Sequence, residues 1–206
     1  MSEDELARAL LDDVLTRGID TLAWSKSAMQ LQQRLAFMHR HDPEWPDFSM
    51  DALAASAREW LLPHLIGVRG RTAVQKLDVA EMLAGRLTWQ QRSQVDKLAP
   101  THLVVPTGSN IFIDYSDPDA PFAAVRLQEV FGLAATPRLA GGRVPLTLHL
   151  LSPAQRPVQV TRDLASFWAN GYFEVKKELK GRYPKHYWPD DPLTAEATRR
   201  AKPRGT

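Results

Sequence analysis

Pro100-Thr-His-Leu-Val-Val-Pro-Thr-Gly-Ser-Asn-Ile-Phe-Ile-Asp-Tyr115 is the stretch at which the chain changes its period. Leu103 and Val105 alternate, as do Ile111, Ile113 and Tyr115, and successive side chains of a strand point to opposite faces. Pro106-Thr107-Gly108-Ser109 between the two runs is a turn, so the stretch predicts a β-hairpin. What precedes it repeats at helical spacing. The switch predicts an α+β fold: a helical N-terminal half followed by a small antiparallel sheet, hairpin plus strand, covered by helices.

Upstream, Ser2 and Glu5 form a capping box, and Leu6, Leu10 and Val14 recur at helical spacing until Gly18. A second helix carries Leu31, Leu35 and Met38 on one face and stops before Asp42-Pro43, because a residue preceding proline is pushed out of the helical region. His41 to Phe48, with two prolines and Trp45, reads as a loop. Ser49 caps a third helix with Leu53, Ala57 and Trp60 inward. Asp78 with Glu81 and Thr88 with Gln91 start two shorter helices, the last ending at Ala99-Pro100.

Downstream, Asp114 to Pro121 is a proline- and acid-rich connection, and Phe122 to Phe131 reads as a helix with Gly132 at its C-cap. Gly141-Gly142-Arg143 precedes an apolar strand, Leu146 to Leu151, and Ser152 to Pro157 is a turn. Thr161 then caps a long helix whose inner stripe is Leu164, Trp168, Val175 and Leu179 and which Gly181 closes. The expected organisation is a helical region over 1–99, an α+β domain over 100–192 and a basic tail over 193–206. No internal repeat or low-complexity linker interrupts it.

The 206 residues are 44% hydrophobic and 24% charged, an ordinary globular composition. No apolar run approaches the ~20 residues that span a bilayer, and the N-terminus is acidic where a secretory signal is basic. The absence of cysteine excludes disulfides, thiol nucleophiles and cysteine-based zinc sites. A cytoplasmic location is the expectation. Net charge is only +2, but its distribution is uneven. Residues 1–20 hold six acids against Arg8 and Arg17; residues 171–206 hold nine Lys and Arg against five acids. That asymmetry points the C-terminal end towards an anionic partner, or towards nothing more than a solvated tail.

Several chemistries lack their residues. A phosphate-cradling loop needs G-x-x-x-x-G-K-[ST], and none of Gly67, Gly70, Gly108, Gly141 or Gly142 is followed by that lysine. His39 and His41 beside Asp42 are two apart on a helix end, so their rings splay. Asp114, Asp117 and Asp119 lack the central glycine and terminal glutamate of a calcium loop and read as turn formers, with Asp119 an N-cap. No G-x-S-x-G elbow is present; Ser109 lies in a turn, and His102 or His149 beside it would be coincidence. The expectation is no catalytic residue, no metal and no cofactor in this chain.

The remaining signal is Gly181-Arg-Tyr-Pro-Lys-His-Tyr-Trp-Pro-Asp-Asp-Pro192, whose three prolines forbid a helix or a central strand. Arg182, Lys185 and His186 alternate with Tyr183, Tyr187 and Trp188. Lys176, Lys177 and Lys180 precede them on the exposed side of the long helix, and Arg199, Arg200, Lys202 and Arg204 form a mobile basic arm. Single strands are bound by phosphate contacts plus base stacking, roughly 1–3 kcal/mol per stacked base. Arg143, beside two glycines, adds a phosphate contact where the backbone is bare. The rival reading folds the three rings back over the sheet as cover.

Leu146-Thr-Leu-His-Leu-Leu-Ser-Pro-Ala-Gln-Arg-Pro-Val-Gln-Val-Thr-Arg-Asp-Leu-Ala-Ser-Phe-Trp168, Gly181-Arg-Tyr-Pro-Lys-His186 and Trp188-Pro-Asp-Asp-Pro192 closely resemble the C-terminal region of the bacterial ATP-dependent helicase family HrpB. Val125-Arg-Leu-Gln-Glu-Val-Phe-Gly132, Pro100-Thr-His-Leu103, Val105-Pro-Thr-Gly-Ser109, Glu59-Trp-Leu61 and Arg199-Arg-Ala-Lys-Pro-Arg204 match as well. The resemblance implies the non-motor C-terminal part of a DEAH/DExH-type RNA helicase, whose Walker motifs lie in two preceding motor domains. Such a module is expected to pack on the motor and help line the path of single-stranded RNA. It carries over no base-contacting residue, so the residues named above rest on their chemistry alone. A protein–protein docking scaffold without nucleic-acid contact is the alternative.

Overall fold

The computed structural model describes residues 2–205, and the chain divides into two compact units between Ala99 and Pro100. The first is helical. α1 (Glu3–Arg17) begins on the expected capping box: Ser2 Oγ accepts from the Glu5 amide at 3.2 Å and Glu5 Oε2 from the Ser2 amide at 2.7 Å. α2 (Lys26–His41) ends at Asp42, where the Pro43 restriction places it. The third predicted helix is broken into α3 (Met50–Ala55), α4 (Ala57–Trp60) and α5 (Leu62–Leu65). Ser56 Oγ donates back to the Ala52 carbonyl at 2.7 Å, an interaction that bends helices, and Pro63 stands in the first turn of α5. Leu53, Ala57 and Trp60 are nonetheless buried as their spacing requires.

α6 (Arg71–Val74), α7 (Val79–Ala84) and α8 (Trp89–Leu98) complete the unit, α8 starting on the Thr88–Gln91 capping box. Buried Arg34 of α2 donates to the Ala99 carbonyl at 2.6 Å and to Asp96 at 2.5 Å, tying α2 to the end of α8. His39 Nδ1 lies 2.6 Å from the Trp45 carbonyl, and His41 packs its ring on Phe37 at 4.8 Å. Among the described residues no three His, Asp or Glu converge as a metal would require.

The second unit is built on a five-stranded sheet in the order β1 (His102–Val104), β2 (Asn110–Asp114), β3 (Phe122–Arg126), β6 (Thr147–Leu151), β7 (Pro157–Thr161). β4 (Arg138–Leu139) and β5 (Val144–Pro145) form a separate two-stranded ribbon. The hairpin forms as read, with Leu103 opposite Ile111. Two readings change. Phe122 to Phe131 is not a helix but β3 followed by a buried 3-10 turn, Leu127–Val130. Its alternate residues Ala123 and Val125 are buried opposite Leu148 and Leu150, so sheet pairing overrides a local pattern that is ambiguous by itself. The sheet is therefore mixed: β3 and β6 run parallel, joined by a crossover of some twenty residues.

Thr161 ends β7, and Asp163 caps the following helix instead, accepting from the Ser166 amide at 3.0 Å. That helix runs as α9 (Leu164–Ser166), a π turn over Phe167–Gly171, and α10 (Tyr172–Arg182). Phe131 is its anchor point, with ring centroids 6.1 Å from Trp168, 6.2 Å from Tyr172 and 6.1 Å from Tyr187.

Candidate nucleic-acid interface

After α10 the chain runs without regular structure to Gly205, and hydrogen bonds hold it at each step. Trp188 is 8% exposed, and its indole N–H donates to the Tyr183 carbonyl at 2.9 Å. Tyr172, buried in α10, donates to the Pro189 carbonyl at 2.7 Å. Burial, with the nearby Asp190 charge and Tyr187, holds the Tyr172 phenol far above its ordinary range, so it is a permanent donor. The Gly132 amide, at φ +83° where a side chain would be strained, donates to Pro192 at 2.9 Å. Thr198 donates to the Gln128 carbonyl at 3.0 Å and Tyr187 to the Ala201 carbonyl at 2.7 Å.

The expected mobile arm is thus corrected. Residues 199–204 are laid down on the second unit: Thr198 and Pro203 are buried, and Arg199 donates to the Thr107 carbonyl at 2.8 Å. The same turn is held from beneath by buried Glu129, which accepts from Ser109 at 2.6 Å, Thr107 at 2.9 Å and Arg126 at 3.3 Å, with Arg199 at 4.0 Å. Sequence reasoning missed Glu129; an acid inside Leu127-Gln-Glu-Val-Phe131 is the one trace of it.

The predicted site residues separate by what they touch. Of the three rings proposed for stacking, Trp188 is sealed in as cover, while Tyr183 and Tyr187 are half-buried, the latter edge-on against Phe131. His186 packs edge-on to Tyr183 at 5.7 Å. Lys176 is paired with Asp190, whose carboxyl that ammonium, aided by Lys180, holds below its usual range. Arg182 lies 3.9 Å from Glu178 on the solvent side of α10. Arg143 is exposed on a different turn, between β4 and β5 beside Gly142.

What remains is charge. Lys177, Lys185, Arg200, Lys202 and Arg204 are exposed and have no carboxylate within ion-pair reach among the described residues. Arg199, Arg200 and Arg204 come together with Thr107 and Glu196 around one open cleft of about 390 Å³. Guanidinium groups fixed on a braced loop can meet phosphate oxygens bidentately with little ordering left to do.

The family model described as "ATP-dependent helicase C-terminal" matches residues 60–192. The ATP-dependent RNA helicase HrpB of Escherichia coli K12 is 48% identical over 203 residues, which are 98% of this chain and 25% of that protein. The crystal structure of the E. coli DExH-box NTPase HrpB superposes with a TM-score of 0.88 at 48% identity, covering 97% of this chain and 25% of that one. That of the E. coli DEAH/RHA helicase HrpB gives 0.74 at 46% identity over 91% of this chain and 24% of that one. The chain thus spans about a quarter of the length of the relatives it matches. It belongs to the HrpB family of ATP-dependent helicases, as a C-terminal region.

Proposed function

We propose that this chain is a non-motor auxiliary module of an ATP-dependent RNA helicase, which packs on the motor domains and contributes RNA contacts from its basic C-terminal margin. Catalysis and nucleotide binding belong to the motor and not to this chain. The observation that carries the RNA reading is the set of exposed cations without acidic partners, Lys177, Lys185, Arg200, Lys202 and Arg204, on a segment fixed by main-chain hydrogen bonds. Such an interface reads phosphates and carries no base sequence. Burial of Trp188 removes the strongest stacking platform, so charge, not stacking, dominates.

Anisotropy of a labelled single-stranded RNA at two salt concentrations tests this. Affinity that falls steeply with salt, and weakens on Lys185→Ala with Lys202→Ala, supports RNA contact. No binding by the chain, with strong association to a supplied motor, would leave only a docking scaffold.

A further inference from the structure

The five-stranded sheet has one face buried and one bare. Ile113, Ala123 and Leu148 are opposite one another and sealed. The residues next to them point the other way, since strand side chains alternate. His102 pairs with Phe112, Ala124 with His149 and His149 with Val160, which places all of them on one outer face. Val104, Phe112 and Val160 there are 67%, 52% and 57% exposed. Phe122 stacks flat on His149 at 4.1 Å beside them. Three bare large apolar side chains on one sheet face, with the Phe122–His149 pair between its edge strands, are exposed apolar surface of the kind that marks an interaction site.

We propose that this outer sheet face is the seat of the helicase motor, which docks on it through an apolar surface of its own. The proposal rests on the auxiliary-module reading and names where that module is held. Charge decides between occupants. No lysine stands on these strands; Arg126 is engaged with Glu129, and Arg162, just past β7, with Thr147 at 2.9 Å and the Asp119 carbonyl at 3.1 Å. A phosphate backbone laid here would find no unengaged lysine or arginine and would meet Asp114, which shares the face opposite Phe122, whereas an apolar protein surface matches the bare Val104, Phe112 and Val160. Length agrees: three quarters of the E. coli relative lies outside the region this chain matches.

The test titrates this chain with the E. coli HrpB polypeptide that precedes the matched region, using wild type, Phe112→Glu with Val160→Glu, and Arg200→Ala with Arg204→Ala. Melting curves confirm that each variant folds, which the exposed positions allow. The expected result is at least a ten-fold loss of motor affinity for the sheet variant, unchanged affinity for the arginine variant, and unchanged RNA affinity for the sheet variant. Motor binding that survives the sheet variant overturns the assigned face while the docking reading stands. RNA affinity lost with the sheet variant assigns the face to nucleic acid and overturns the proposal. Self-association of the wild-type chain abolished by the same variant assigns it to a second copy. No motor binding by wild type overturns docking itself.

Discussion

Replacing Trp188 with alanine distinguishes cover from ligand platform, and the structure sets the size of the effect. A tryptophan buries on the order of 150–250 Å², so at about 25 cal/mol per Å² its removal costs roughly 4–6 kcal/mol before relaxation. Core Trp→Ala substitutions cost about 3–5 kcal/mol, and the Tyr183 carbonyl loses its indole donor besides. A loss of about 4 kcal/mol in the second unit is expected. At roughly 4–8 °C per kcal/mol for a unit near this size, its transition moves down by about 16–30 °C. Differential scanning calorimetry reads this directly. Trp188→Phe keeps a six-membered ring but loses the hydrogen bond, about 1 kcal/mol, and part of the buried volume, so it should cost less than the alanine change, with RNA affinity unchanged. A shift within the ~0.5 kcal/mol of an ordinary surface substitution, with RNA affinity lost, would refute the cover assignment.

Asp190→Asn frees Lys176 and is expected to raise RNA affinity by up to about five-fold at 0.1 M salt, the effect of one added phosphate contact, with no change in melting. Because Asp190 sits below its ordinary range in the fold, the pair is complete at pH 7 and above the unfolded carboxylate value. It is lost only as pH falls through the lowered folded value, so wild-type RNA affinity rises towards that of the variant only in acid; unchanged affinity in Asp190→Asn at pH 7 refutes the pairing. Glu129→Ala leaves the Thr107 and Ser109 hydroxyls and Arg126 without their shared acceptor. It should cost about 1–3 kcal/mol in urea unfolding and speed amide exchange at Gly108, which donates to Val105 in that turn.

Local signals were legible where the physics is local. Ser2 with Glu5, Thr88 with Gln91 and the Asp42-Pro43 stop each placed a helix end, because capping and proline sterics act within a turn. The hairpin was legible from alternation on both sides of Pro106-Thr-Gly-Ser109. Phe122–Arg126 was not: Phe-Ala-Ala-Val-Arg fits either period, and its state is set by partners β2 and β6, the latter more than twenty residues away. β7 was hidden behind Pro157, since proline is tolerated at the first residue of an edge strand, which is where it stands.

In the candidate site the charges were legible and their fate was not. Nothing local to Trp188 says that its indole is turned inward, or that Asp190 takes Lys176 out of reach. The basic arm read as mobile because its composition is that of a solvated tail. Thr198 and Arg199 pin it through hydrogen bonds to the Gln128 and Thr107 carbonyls, seventy or more residues away along the chain.

The salt dependence of RNA affinity, compared between the wild-type chain and Arg200→Ala with Arg204→Ala, addresses the interface most directly. Each lost phosphate contact on a single strand flattens log K against log salt by about 0.7, so the pair should flatten it by about 1.4 and weaken binding about 25-fold at 0.1 M. Parallel lines for the two proteins, or a wild-type affinity indifferent to salt, would contradict a phosphate-reading margin.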